Sequence, residues 1–201
     1  MSIQLATAAQ VKAMLGATAD FPDDTLLTTI IQMVSAAIQA YLGRELEDTG
    51  SDTTQYFSGN GSRRVFVLKR FPNVTVTSVH DSIDRAYGSG DLLSSDDYAV
   101  YADEGIVELE YPAQDGIRNL RVVYSGGYEA ATGVLPVPDA MKNACILQAA
   151  ETYRRKETMT LIGMSTDLGN ISAPVTFDVM DLTPGVKRLL DPFKVMSLGA
   201  A

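Results

Sequence analysis

The spacing of apolar residues changes between residues 120 and 139, and this change separates a β-rich part of the chain from a helical part. In residues 120–125, Leu120, Val122 and Tyr124 alternate with the residues between them. This two-residue period is typical of a half-buried strand. The pair Gly126–Gly127 supplies backbone freedom where this strand ends. Pro138 suits a first helical turn, and the acidic Asp139 suits the positive N-terminus of a helix. A strand therefore ends and a long helix begins within this stretch.

Three helices are predicted from capping residues and apolar spacing. Thr7 and Gln10 form a capping box, which predicts a short helix over residues 8–15. Apolar residues three and four positions apart predict a second helix over 23–42, and a third is predicted over 138–157. We expect the two N-terminal helices and the long helix to form a small bundle.

The region between these helices is predicted to be an insertion of antiparallel strands, residues 54–125. About six alternating segments are joined mostly by short turns, which favours an antiparallel sheet or a small barrel. Gly59–Gly61 predicts a hairpin between the strands on either side, and an acidic turn ending in Gly105 predicts another. The expected fold class is α+β, with a body over 1–157.

Residues 158–201 are predicted to form a C-terminal arm with a short helix. Residues 158–182 contain glycine, proline, serine and threonine without clear periodicity, which is typical of an extended segment. Thr183 and Pro184 suit the start of a helix whose apolar face must dock on its own subunit or on a partner. The residues of this helix that are candidates for partner binding are Val186, Lys187, Arg188, Leu189, Leu190 and Phe193.

The charge distribution argues against a nucleic-acid-binding protein. The chain of 201 residues has a net charge of −9, and residues 44–130 carry fifteen acidic and eight basic side chains, a net of −7. Affinity for phosphates depends on Lys and Arg contacts, so an acidic surface should repel DNA. The single cysteine, Cys145, lies in an apolar helix, where we expect it to pack in the core.

The second predicted helix has no charged residue from Thr25 to Gly43. Its threonine, serine and glutamine residues interrupt the apolar sequence, so we do not interpret it as a membrane span. An uncharged face is either enclosed within its own domain or contacts a neighbouring subunit, where charge is depleted. The polar residues that would make such a contact are Thr28, Gln32, Ser35 and Gln39.

No pattern in the chain predicts a catalytic or cofactor site. The only histidine, His80, has no cysteine or second histidine with which to bind a transition metal, and we expect it to face solvent on a strand. The central acids lack the spacing of an EF-hand, so a solvated loop is favoured over a weak divalent-cation site at Asp91, Asp96 and Asp97. We therefore expect a protein that is not an enzyme; a metal-dependent hydrolase is a remote alternative.

The basic run Arg154–Lys156 permits two interpretations. It could contact a phosphate or an acidic partner, or it could lie at the C-terminus of the third helix, where cations are stabilised by the helix dipole. We favour the second interpretation.

An ordered set of motifs resembles one protein family. It comprises the strand, glycine pair and Leu-Pro loop of residues 120–138, the small-residue helix that ends in Tyr-Arg-Arg-Lys-Glu, the two N-terminal helices, and the closing helix at 183–193. In this order the motifs resemble the head-to-tail connector, or adaptor, proteins of tailed bacteriophages and prophages. The match extends over nearly the whole chain, although each motif is degenerate.

This resemblance implies a structural virion protein at the head–tail junction, assembled in the host cytoplasm. The resemblance implies a ring of twelve copies. This ring would bind the portal protein and extend the DNA channel without binding DNA specifically. The ring would present a platform for a stopper or tail-completion protein, with no membrane involved. The closing helix would dock on the portal. Another ring-forming stopper or a tail terminator is the alternative within the same class.

Overall fold

The computed structural model describes residues 4–16, 24–129, 134–165 and 181–195, with the backbone alone for 156–165. The chain divides into two compact units. We call residues 1–43 and 131–201 the helical unit, and residues 44–130 the β unit. The described chain is mixed α+β, as predicted.

The helical unit contains four helices: α1 (Ala8–Leu15), α2 (Asp24–Leu42), α3 (Asp139–Ser165) and α4 (Pro184–Leu190). Helices α1, α2 and α4 all pack against α3. The buried side chains are mostly aliphatic because each helix carries apolar residues three and four positions apart. The largest fully buried ones in this unit are Leu5, Leu27, Ile31, Ile38, Leu42, Leu135 and Met141.

The predicted starts of α1 and α3 are confirmed. The Thr7 hydroxyl accepts a hydrogen bond from the Gln10 N–H (3.2 Å), and the Gln10 side chain accepts one from the Thr7 N–H (2.9 Å). Gly16 ends α1 with φ of 73°, a left-handed conformation in which a side chain would be strained. Helix α2 extends from Asp24, the first described residue after residue 16, and α3 begins at Asp139. Asp23, the predicted first residue of α2, lies outside the described residues.

The end of α3 differs from the prediction. The helix reaches Ser165 rather than ending at residue 157, so residues 158–165 are helical and not part of an extended arm. Arg154–Lys156 therefore lies inside the helix, and its interpretation as a C-terminal cap is wrong. Arg155 instead pairs with Glu151 one turn earlier (3.0 Å). The division of the chain into a body and a C-terminal arm stays a prediction, and residues 166–180 lie outside the described residues.

The β unit is built from two three-stranded antiparallel sheets and one short parallel pair. The eight strands are β1 (Glu47–Asp48), β2 (Thr53–Gly59), β3 (Val65–Val67), β4 (Thr75–Asp81), β5 (Tyr98–Tyr101), β6 (Ile106–Leu109), β7 (Gly116–Ser125) and β8 (Tyr128–Glu129). The sheet orders are β2–β7–β4 and β3–β6–β5, and β1 pairs with β8 in parallel. The six predicted strands are confirmed, and no closed barrel forms within residues 44–129.

One of the two predicted hairpins is wrong. Strands β2 and β3, which flank Gly59–Gly61, do not pair, because β2 pairs with β7 and β3 with β6. The carboxamide oxygen of Asn60 accepts hydrogen bonds from two N–H groups in this connection, which forms a side-chain-stabilised turn. The hairpin of β5 and β6 is confirmed, and Gly105 is required there because its φ is +68° and an added Cβ would lie 2.5 Å from the Phe71 ring.

Strand β7 is the central strand of its sheet, and two buried polar side chains fix it. The Asn119 carboxamide is fully buried; its oxygen accepts from the Gly59 N–H (2.8 Å), and its nitrogen donates to Asp81 (2.9 Å). The Tyr124 hydroxyl accepts from the N–H groups of Lys69 and Arg70 (both 3.2 Å) and donates to the Gln55 side chain (2.9 Å). Burial raises the pKa of Tyr124, which keeps the hydroxyl protonated.

Candidate assembly surfaces

Helix α2 has a buried apolar side and an exposed side without charge. The exposed residues beyond its first turn recur three and four positions apart: Thr29, Met33, Ala36 and Ala40. By length and composition alone this helix could cross a membrane. Its packing against α3 explains the apolar composition, since Leu27, Ile31 and Ile38 are buried there.

The four predicted interface residues of α2 do not share one environment. Ser35 is fully buried, and its hydroxyl accepts from the Leu5 N–H (3.1 Å) and donates to the Ile31 carbonyl (2.7 Å). Ser35 is therefore a core residue, because a side chain with no exposed area cannot reach another subunit. Thr28, Gln32 and Gln39 are half-buried and lie on the flanks of the exposed side.

Helix α4, which was predicted to bind the portal, packs against its own unit. Val186 (3% exposed) and Leu190 (fully buried) belong to the core that α4 shares with α3. Neither can contact a partner without leaving this core. Of the other candidates, Leu189 is 37% exposed, Arg188 is exposed and Phe193 is half-buried, while Lys187 pairs with Asp181 (2.7 Å).

Polar contacts hold both ends of α4 against the helical unit. The side-chain oxygen of Gln148, on α3, accepts from the Thr183 N–H (3.0 Å), whereas the Thr183 hydroxyl makes no capping bond. After α4, the Tyr41 hydroxyl donates to Asp191 (2.6 Å), and this hydrogen bond raises the pKa of Tyr41. The Lys194 ammonium lies 4.7 Å from the centre of the Tyr41 ring. Arg188 and Leu189 are thus presented on a fixed helix.

A row of cationic and aromatic side chains crosses the β2–β7–β4 sheet. Arg121 on β7 is paired across the ladders with Tyr56 on β2 and with His80 on β4. The Arg121 guanidinium lies 4.7 Å from the centre of the Tyr87 ring, and the Tyr87 and Tyr56 rings are 5.6 Å apart. This row was not predicted, because only the strand register places Tyr56, Arg121 and His80 side by side.

His80 is buried, which contradicts the prediction that it faces solvent. Only 8% of the residue is exposed, and the Arg121 guanidinium lies 3.2 Å from its Nε2 atom. Burial, with a smaller contribution from the Arg121 charge, lowers the pKa of His80. The imidazole is therefore neutral at pH 7, and the positive charge in this row belongs to arginine.

Arg118 lies at a bulge where β7 meets β2, and its backbone is left-handed, with φ of 55°. Its N–H donates to the Ser58 hydroxyl (3.0 Å), and its carbonyl accepts from the Tyr87 hydroxyl. Its guanidinium lies 4.4 Å from the centre of the Tyr56 ring. The exposed Arg118 makes no ion pair with any residue that the structure describes. We call Tyr56, Lys69 and Arg118 the cationic surface.

An acidic groove of about 400 Å³ lies on the β3–β6–β5 sheet. Three carboxylates line it, with Arg64 as the one cation among the lining residues. We call Asp96, Glu108, Glu110 and the lining tyrosines Tyr98 and Tyr111 the acidic surface. Within the described ranges none of these carboxylates forms an ion pair.

The predicted alternative of a divalent-cation site gains no support. Asp91 accepts from the Gly88 N–H (3.0 Å) and Asp97 from the Ser94 N–H (2.9 Å), so both carboxylates close local turns. In residues 4–16, 24–129, 134–165 and 181–195 no group of three metal-ligating side chains occurs.

Comparison with solved structures shows that the fold is shared with proteins of gene transfer agent particles. One match is to a chain in the neck of an empty gene transfer agent particle computed with C6 symmetry, with a TM-score of 0.56 and 16% identity. Another is to a chain of the native gene transfer agent virion, with a TM-score of 0.55 and 15% identity. Each alignment covers 96% of this chain and 91% of the other.

A third match is to the neck of the native particle computed with C12 symmetry, with a TM-score of 0.53, 16% identity and the same coverage. No curated protein sequence matches the chain significantly. A family model described as head completion protein matches residues 4–168, which include α1, α2, the β unit and α3. The chain therefore belongs to the head completion protein family.

Proposed function

We propose that this protein is a non-enzymatic head-to-tail connector, a structural component of the virion at the junction between head and tail. Copies form a ring that binds the portal, extends the DNA channel and offers a platform to the next head-completion or tail protein. The observation that carries this proposal is the family match over residues 4–168. The fold shared with neck proteins of gene transfer agent particles supports it.

The ring has cyclic symmetry, with twelve copies. The structural neighbours come from necks computed with C12 and C6 symmetry, which is consistent with this number. The exposed uncharged side of α2, flanked by Thr28, Gln32 and Gln39, suits a contact between subunits because it brings no charge into a buried interface.

The portal contact is assigned to the exposed face of α4. Arg188 and Leu189 are accessible, with Phe193 half-buried beside them. An arginine next to apolar side chains suits a protein interface, because arginine is enriched there and binds carboxylates with two parallel hydrogen bonds. The DNA channel needs no specific contacts, and the net charge of −9 favours passage of DNA without adhesion.

The test is binding to the purified portal ring, measured by sedimentation. We expect wild-type protein to sediment with the portal, and the variant Arg188→Glu/Leu189→Asp to lose binding while its melting temperature stays within a few degrees of wild type. The matched control is Thr29→Asp/Met33→Asp on α2. When only a small fraction of the portal sites is occupied, this variant should sediment with the portal to the same extent as wild type. A wild type that does not bind the portal would overturn the proposal.

The alternative within the same class is a stopper or tail terminator. Such a protein would bind an already assembled connector or the tail rather than the portal itself. A gene position beside the portal and capsid genes, together with direct portal binding, favours the connector. Assembly takes place in the host cytoplasm and ends in the virion, so the protein should be recovered from purified particles.

A further inference from the structure

The cationic surface of the β unit contains an arginine that is fixed in place and forms no ion pair with any described residue. Tyr56 packs under the Arg118 guanidinium, and hydrogen bonds at both the N–H and the carbonyl fix the Arg118 backbone. The left-handed conformation of a residue other than glycine is uncommon, and strain of this kind is concentrated at functional positions. This geometry prepares the guanidinium for an external carboxylate or phosphate at little entropic cost.

The surroundings of Arg118 suit a protein contact. A groove of about 410 Å³ is lined by Tyr56, Lys69 and Arg118, with neutral polar side chains between them. The one carboxylate in this groove, Glu45, is already paired with Arg70 (2.7 Å). Tyr56, whose ring centre lies 4.4 Å from the Arg118 guanidinium, is 38% exposed and offers an aromatic contact.

The acidic surface on the other sheet has the complementary composition. Glu108 and Glu110 lie beside Tyr111, which is 69% exposed. One surface thus presents cations beside the exposed Tyr56, and the other presents carboxylates beside the exposed Tyr111. Arginine and carboxylate pair in a bidentate geometry, and tyrosine is enriched in protein interfaces.

We propose that the cationic surface of one copy binds the acidic surface of the next, head to tail, and that this contact closes the ring. The inference rests on the proposed function, because a ring of cyclic symmetry needs two different, matching surfaces on every copy. Two cationic surfaces would repel each other, and so would two acidic surfaces. Pairing them within one ring supplies every unpaired Arg118 with carboxylates.

DNA is the less suitable occupant of the cationic surface. Duplex binding requires several phosphate contacts from Lys and Arg, whereas this groove presents Lys69 and Arg118 in a unit with a net charge of −7. A neighbouring copy needs only to place the few carboxylates of its acidic surface against Lys69 and Arg118, so the contact depends on local opposite charges and not on the net charge of the unit. The second copy is therefore the partner that the charges favour.

The test is charge reversal on each surface. Association between purified copies is measured by sedimentation velocity, at low and at high salt, with protein concentrations up to the millimolar range. We expect wild type to associate more weakly as salt increases. Arg118→Glu alone and Glu108→Arg/Glu110→Arg alone should each weaken association at least about tenfold, because like charges then face each other. An equimolar mixture of these two variants should restore association, since every contact again joins opposite charges.

The matched control is Asp103→Arg/Glu104→Arg, which makes the same charge change in the β5–β6 turn outside the acidic surface and should associate at least as strongly as wild type. A wild type that stays monomeric at low salt, variants that associate as wild type, or a mixture that fails to recover would each overturn the proposal. Loss of duplex DNA binding in Arg118→Glu with unchanged association would assign the surface to nucleic acid instead. A wild type that associates as expected but does not bind the portal would overturn the connector function alone.

Discussion

The helical unit and the β unit differ in how they use the residues available for partners. In the helical unit, Val186, Leu190 and Ser35 were predicted to contact partners but lie in the core of their own unit. In the β unit, Arg118 was not predicted as a contact residue, yet it lies at the surface without an ion pair among the described residues. An apolar helix face is buried against the nearest apolar surface of its own unit. A fixed surface charge, by contrast, can remain available to another molecule.

The largest effect is expected from the buried end of α4. Leu190→Asp places a carboxylate in a fully buried apolar site, so we expect it to lower the free energy of unfolding by about 4 kcal/mol. Its neighbour Leu189 is 37% exposed, and Leu189→Asp should cost about 0.5 kcal/mol or less. Urea denaturation of both variants measures the difference. Equal stability of the two would show that α4 does not contribute to the helical core.

The corresponding change in the β unit removes a buried amide. Asn119→Ala leaves the Gly59 N–H and the Asp81 carboxylate without the bonds that Asn119 provides, and we expect a loss of about 2 to 3 kcal/mol. Asn60→Ala is the control, because this exposed amide accepts hydrogen bonds only within a turn and its loss should cost about 1 kcal/mol or less. Thermal unfolding followed by circular dichroism compares them. A stable Asn119→Ala would mean that apolar contacts alone fix β7.

A smaller effect is expected at Tyr124. Tyr124→Phe keeps the ring but removes the hydroxyl that joins the Lys69 and Arg70 N–H groups to Gln55, which should cost about 1 to 2 kcal/mol. Tyr111→Phe at a 69% exposed position is the matched control and should leave stability unchanged. Chemical denaturation distinguishes the two variants. If both behave as wild type, the hydroxyl network does not stabilise the β unit.

The smallest effect near neutral pH is expected at Cys145 in the helical unit, since it develops only in alkali. Burial raises the pKa of its thiol from 9.0 to about 11, so the native thiol stays protonated where the unfolded one ionises. This contribution to stability is complete below pH 9 and is lost as the pH rises from 9 to about 11. Cys145→Ala should show a weaker loss of stability across this interval. Rapid reaction of the native thiol with a maleimide at pH 8 would contradict the burial.

The sequence predicted the elements of the helical unit well because capping and apolar spacing are local signals. The capping box at Thr7 and the start of α3 at Asp139 are both confirmed. The end of α3 was misplaced because a basic run was interpreted as a helix terminus, although cations are equally compatible with a helix interior when paired one turn away, as Arg155 is with Glu151.

Pairing between strands was less predictable. The six strands were found, but the turn signal at Gly59–Gly61 predicted the wrong partner for β2. Glycine and asparagine allow the chain to turn, but they do not determine which strand pairs with β2. The cationic surface was missed for the same reason, because Tyr56 on β2 and Arg118 on β7 are distant in sequence and only the pairing of these two strands brings them together.

Composition and local periodicity were enough to predict the fold class, the order of helices and strands and the acidic character, while the order of the motifs carried the resemblance to connector proteins. The tertiary structure decided which apolar faces are already covered and which charges remain unpaired. Burial and cross-strand register depend on residues that are distant in the chain. The same physical reason makes Leu190 a core residue and leaves Arg118 available to a partner.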